Sequence, residues 1–143
     1  MTSITFYFNA EDRLAVACRL AAKSMQQKKR LLIFAPQPEL AQRVDRMLWT
    51  QPAVSFVPHC LAHDAAAADT PVLIAVDEAP PPVACDILMN LGADCPPFFE
   101  RHERLIEIVS QEDEDLRAGR ARFRFYRDRG YAIQNHDLAK APS

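Results

Sequence analysis

Leu31-Leu32-Ile33-Phe34-Ala35-Pro36-Gln37-Pro38-Glu39-Leu40, running on to Trp49, holds the pattern that decides the fold. Leu31 to Ala35 is a short continuous apolar run and reads as a strand buried on both faces. Pro36 and Pro38 end it, because proline donates no backbone N–H to a ladder. From Glu39 the period changes. Leu40, Val44, Met47 and Leu48 recur at helical spacing, which predicts a helix from Glu39 to Trp49 with one apolar face. Strand, proline turn and helix together make the repeating unit of an α/β chain.

The same unit precedes it. Ile4 to Phe8 reads as a buried strand, and Asn9 is a candidate helix cap. Leu14, Ala15, Cys18, Leu20, Ala21 and Ala22 then give apolar helical spacing, with Lys23 and later lysines at the basic end. On the carboxyl-terminal side the pattern continues. Val54 to Val57 is a third extended piece, between Pro52 and Pro58. His63 to Asp69 is a polar, alanine-rich loop. Pro71 to Val76 is an apolar strand expected at the centre of the sheet. Asp77 to Pro82 is a proline-rich loop, Asp86 to Leu91 a short strand, Pro96 to Glu103 a short helix and Leu105 to Val109 another strand. Gln111 to Arg129 is the last long helix, with Gly130 placed to cap it. Tyr131 to Ile133 is expected to pack back on the body.

Strands alternating with helices predict a single α/β, three-layer, Rossmann-like domain. Its sheet is mostly parallel, with helices on both faces. The domain is expected to span residues 1–143, with a frayed tail after about residue 136. The chain has 143 residues and a net charge of −2. Attraction to nucleic acid would therefore need a local patch. No basic-then-apolar leader and no membrane-length apolar run occur, so a cytoplasmic location without membrane contact is expected. The four cysteines, Cys18, Cys60, Cys85 and Cys95, form no C-x-x-C and read as free thiols.

A first strand followed by a helix invites a nucleotide. That site needs glycines so the backbone can approach phosphate. The chain has only three, Gly92, Gly119 and Gly130, and the first turn is Asn9-Ala10-Glu11-Asp12, whose carboxylates repel phosphate. His59, Cys60 and His63 are three potential metal ligands, short of the four a zinc site normally uses. Ser55 is in no nucleophile elbow, and Asp77 and Asp86 have no paired base. Neither cofactor, metal nor catalytic residue is expected.

Two surfaces invite a partner. Trp49 and Phe56 flank Pro52 on a proline-bracketed connection. They either plug the edge of the core or anchor a protein interface. The last helix begins Glu112-Asp113-Glu114-Asp115 and then carries Arg117, Arg120, Arg122, Arg124, Arg127 and Arg129. Acid first and base last suits the helix dipole, and a solvated face is the plain reading. Yet Arg120, Arg124 and Arg127, extended by Arg117, share one arc with Phe123 and Leu116 beside them. Ala118, Ala121 and Phe125 are expected to face the core. Guanidinium forks around a phenylalanine suit an acidic peptide with an apolar end, and phosphate is the competing ligand.

Leu48-Trp49-x-x-Pro52-x-x-Ser55-Phe56-Val57-Pro58-His59 resembles the chi subunit of the bacterial DNA polymerase III holoenzyme. So do Thr5-Phe6-Tyr7, Lys29-Arg30-Leu31-Leu32-Ile33 and Tyr126-Arg127-x-x-Gly130-Tyr131, which together span nearly the whole chain. The resemblance implies a non-catalytic adaptor. It implies binding of the psi subunit of the clamp loader through Trp49, Phe56 and Pro58, a surface for which an XPD-type helicase competes. It also implies binding of the acidic, phenylalanine-ended tail of single-stranded-DNA-binding protein (SSB) through Arg117, Arg120, Phe123, Arg124 and Arg127. DNA would then be contacted indirectly. The competing reading is an enzyme or binding protein for a nucleotide or phosphorylated ligand held by the arginine helix.

Overall fold

A computed structural model describes residues 2–50, 57–79, 81 and 83–139. Its elements in chain order are β1 (Ser3–Ala10), α1 (Arg13–Gln26), β2 (Leu31–Phe34), α2 (Pro38–Thr50), β3 (His59–Leu61), β4 (Val72–Ala75), β5 (Ile87–Asn90), β6 (Arg104–Ser110), α3 (Asp113–Asp128) and β7 (Ile133–Asp137). Among the described residues the strands form one seven-stranded sheet in the order β3-β4-β2-β5-β6-β1-β7. Every pair is parallel. All strands therefore start at one end of the molecule, and their carboxyl ends share the other.

Both faces are covered, as the unbroken apolar strands require. On one face α1 and α2 bring Ala17, Cys18, Ala21, Val44 and Leu48 onto Leu31, Ile33, Val72 and Ile74. On the other, α3 packs beside Phe6, Leu105 and Val109, and loops cover Leu32, Phe34, Leu73 and Leu88.

Several elements differ from expectation. Asp12, not Asn9, caps α1: its Oδ1 accepts from the N–H groups of Leu14 and Ala15, both at 3.1 Å. Asn9 still belongs to the β1 strand at φ 64°, and its amide donates to Asp137 at 2.8 Å. The extended piece at Val54–Val57 falls largely outside the described residues, and the strand in that region is β3. β4 is second from the edge, and β5 takes the centre. Pro96–Glu103 makes only a 3₁₀ turn at Phe99–Arg101, because Phe98 sits in the left-handed region at φ 58° and interrupts any right-handed helical run across it. The polar stretch Ile133–Asp137 forms an edge strand on β1, with Ile133 opposite Ile4, and the N–H of Leu138 donates to the Phe8 carbonyl. The chain is thus held past residue 136, and residues 140–143 lie outside the described ones.

Candidate interaction surfaces

α3 is set by its two ends and one buried stripe. Asp113, Glu114 and Asp115 occupy its first turn, where the dipole favours acids. Asp115 also accepts from the Ser110 N–H at 2.6 Å, tying the helix start to β6. At the other end Gly130 sits at φ 85°, its N–H donating to the Arg127 carbonyl and that of Tyr131 to the Tyr126 carbonyl. This pair of bonds is the Schellman cap, which needs a left-handed residue at that position.

The buried stripe is Gly119, Arg122 and Tyr126, not Ala118, Ala121 and Phe125. Ala121 is exposed, and Phe125 is half-buried beneath the Arg129 guanidinium, 4.1 Å from its centroid. The reason lies in β6. Glu107 is fully buried there. It accepts from Arg122 Nε at 2.9 Å, from Tyr126 Oη at 2.6 Å and from Asn90 Nδ2 at 3.1 and 3.2 Å. A second guanidinium nitrogen of Arg122 donates to the Ala93 carbonyl at 2.8 Å. Burial pushes the Glu107 carboxyl up, and Arg122, Tyr126 and Asn90 pull it back. A buried carboxylate needs a buried cation, so one arginine of the six is drawn inside.

This rotation sets the outer face. Arg117, Arg120, Arg124 and Arg127 are exposed together on it. Arg127 reaches Asp128 at 3.3 Å, whereas no acidic partner meets Arg117, Arg120 or Arg124 among the described residues. Phe123 is half-buried at the edge of this arc, its ring edge-on to Phe6 at 5.3 Å. It offers one side of a ring rather than the exposed side chain expected. Arg122 lies in the core, so its removal reports on folding and cannot serve as a neutral comparison for the arc.

The second surface lies at the edge of the sheet. Trp49 lies in the last turn of α2 and is 56 % exposed. Its ring stands 4.7 Å from that of His59, which is buried at the start of β3. His59 Nδ1 is 2.7 Å from the Val57 carbonyl, and Nε2 is 3.0 Å from Asp45 on α2. Pro58 is half-buried between them in sequence, and Phe56 lies outside the described residues. Asp45, one helical turn before Trp49, is the support that sequence spacing could have supplied and did not. His59 is held through Nδ1 at the Val57 carbonyl, with the Asp45 carboxylate beside its Nε2, and His63 stands 3.9 Å from Asp77. Among the described residues no three His, Cys, Asp or Glu side chains gather around a point where a metal could sit. No helix among them is long and apolar enough to cross a membrane.

Residues 1–134 match the family DNA polymerase III chi subunit, HolC. The chain belongs to this family. It is similar to the DNA polymerase III subunit chi of Pseudomonas aeruginosa, 35 % identical and covering 98 % of this chain and 99 % of that protein. The subunit chi of Escherichia coli is 31 % identical, over 93 % of this chain and 96 % of that one. Chi is an accessory subunit of the polymerase and not an enzyme. Among solved structures, the C-terminal domain of the DEAD-box protein Dbp5 aligns with a TM-score of 0.67 at 10 % identity, covering 97 % of this chain and 92 % of that one. That likeness concerns the α/β fold alone. The chi-like string Tyr126-Arg127-x-x-Gly130-Tyr131 now has a physical meaning. Tyr126 holds Glu107, Gly130 closes α3, and Tyr131 continues into β7 with its ring 5.3 Å from Phe99.

Proposed function

We propose that this chi-family subunit is an adaptor of the DNA polymerase III holoenzyme. It joins a psi-like partner, bound at Trp49, Phe56 and Pro58, to the acidic C-terminal tail of SSB, bound on α3. The observation that carries the reading is the outer face of α3. There Arg117, Arg120 and Arg124 stand without an acidic partner among the described residues, beside the half-buried ring of Phe123. A peptide ending in Pro-Phe matches this set. Its carboxylate pairs with Arg124 or Arg120, its ring rests near Phe123, and upstream aspartates meet Arg117 or Arg127. Forked guanidinium–carboxylate contacts favour arginine over lysine here.

The test is a titration of labelled peptide against the protein and its variants. A charge-assisted hydrogen bond is worth about 1.5–3 kcal/mol. Arg124→Ala therefore weakens the peptide at least about tenfold. Arg46→Ala, exposed on α2, leaves it unchanged. Added salt and removal of the last phenylalanine each weaken binding. Equal affinity for all variants would remove the peptide site from α3. At the sheet edge, Trp49→Ala weakens a psi-like partner by about 2 kcal/mol or more if the ring is an anchor. An XPD-type helicase using the same edge would be displaced by that partner.

A further inference from the structure

The geometry points to a third, distinct surface: a lysine-rich cleft at the amino-terminal end of the sheet that takes the phosphodiester backbone of a nucleic-acid strand. Lys23, Lys28, Lys29 and Arg30 fall within eight residues, around the turn from α1 into β2. Lys28, Lys29 and Arg30 line an open cleft of about 470 Å³, whose other wall includes Asp69, Thr70 and Asp86. These segments precede the parallel neighbours β2, β4 and β5, so the cleft lies across the strand starts.

Lys28 carries the argument. The N–H of Lys29 donates to the Ser24 carbonyl and that of Lys28 to the Met25 carbonyl, both at 3.0 Å, so α1 ends in the same Schellman cap as α3. In α3 the left-handed position holds Gly130. In α1 it holds Lys28 at φ 58°. A lysine there is strained where glycine would be at ease. Strain retained at one residue points to a use for its side chain. Lys28 is exposed, and neither it nor Lys23 has an acidic partner among the described residues. Lys23 in the last turn of α1 also suits the helix dipole, but Lys28 to Arg30 lie beyond the helix. Three acids lie nearby: Asp86 accepts from the Arg30 N–H at 2.8 Å, Glu103 pairs with Lys29 at 2.9 Å, and the exposed Asp69 lines the far wall of the cleft.

The chemistry differs from that of α3. Three of these four cations are lysines, point charges suited to phosphate rather than to a carboxylate fork. Among the described residues no aromatic ring lines the cleft, so a strand would be held by its backbone and not by stacked bases. The opposite end of the sheet is acidic, its cleft lined by Glu11, Asp12, Glu112, Glu114 and Asp115. The two clefts thus differ in the sign of their excess charge: three cations face two acids at the lysine end, and five acids face Arg13 and Arg43 at the other.

The experiment uses the full chain and labelled oligothymidylate at low salt, read by fluorescence anisotropy. Binding is expected, with affinity that falls as salt rises. Lys28→Gln/Lys29→Gln removes two phosphate contacts and lowers the log–log salt slope by about 1.4, at about 0.7 per contact on a single strand. Lys28→Gly lowers it by about 0.7, while the melting temperature stays level or rises because the strain is gone. Arg46→Glu, a charge reversal on α2, changes neither. The proposal fails if the wild-type chain does not bind, if Lys28→Gly binds as wild type does, or if Arg46→Glu weakens binding as much as the double variant. It also fails if Arg124→Ala abolishes oligonucleotide binding, which would place the strand on α3. Displacement by polyglutamate at matched charge would make the ligand an acidic protein and equally overturn it.

Discussion

Arg122 and Arg120 are two residues apart on one helix and have opposite fates. Arg122 is 2 % exposed and holds Glu107, whereas Arg120 is exposed without an acidic partner. Arg122→Ala leaves a buried carboxylate unpaired, so it should destabilise the fold by about 3–5 kcal/mol. Arg120→Ala should change stability by no more than about 0.5 kcal/mol. Urea unfolding of the two variants checks this directly. From the sequence the six arginines look alike, because what separates them is a single buried acid on β6, fifteen residues upstream of Arg122. His102 offers a pH probe of the same kind. Burial, with Arg101 nearby, holds its imidazole below the usual range, against the pull of the Cys85 carbonyl at 2.9 Å. As pH falls through the ordinary histidine range near about 6.5, the unfolded chain takes up a proton that the native state resists. Stability from this group is complete above that range and is lost as pH drops toward the lower folded value. Urea midpoints should fall more for wild type than for His102→Gln between about pH 7.5 and about pH 5. An equal fall would remove His102 from the account.

At the scale of elements, α3 lies where it does because one residue has no side chain. A Cβ on Gly119 would meet Val109 Cγ2 at 2.8 Å and Cγ1 at 3.0 Å. Helix propensity alone would favour alanine by about 1 kcal/mol. Overpacking costs about 1–3 kcal/mol and wins here, because the valine side chain is stiff and stands on β6 of the sheet directly under α3. Gly119→Ala should therefore lower the unfolding free energy, and Val109→Ala in the same chain should recover part of the loss. Calorimetry of the four proteins of this cycle gives the coupling; additive effects would mean that the contact does not set the helix position. Much at this scale was legible. The strand-proline-helix pattern at Leu31–Trp49 placed β2 and α2 within a residue or two, and Gly130 marked the end of α3. The rotation of α3 was not legible, since its buried stripe is a glycine, an arginine and a tyrosine rather than an apolar set. β7 was hidden for a related reason. Four of its five residues are polar, and it forms because β1 offers an open edge.

Over the whole molecule, the parallel sheet gathers all helix starts and strand ends at one end. There a fold of this kind ordinarily takes its ligand. In this chain that crevice has a volume of about 610 Å³ and is walled by Glu11, Asp12, Glu112, Glu114 and Asp115, with Arg13 and Arg43 among them. Asp12 is also committed to capping α1. The absence of a glycine turn was plain in the sequence. The assembly of two distant acidic runs, residues 11–12 and 112–115, around one crevice was not, because it follows from β1 and β6 being neighbours. Carboxylates so placed repel a triphosphate, and no glycine lets the backbone of the first turn approach one. A ligand present at ten times its dissociation constant stabilises the folded state by about 1.4 kcal/mol. For a chain of this size that is several degrees in melting temperature. Millimolar ATP, with or without magnesium, should shift the melting temperature of this protein by less than about one degree, within the same relation. A saturable rise of several degrees, enlarged by Glu11→Lys and abolished by Arg43→Glu but unmoved by Lys28→Gly, would place a nucleotide in the crevice and reverse the assignment.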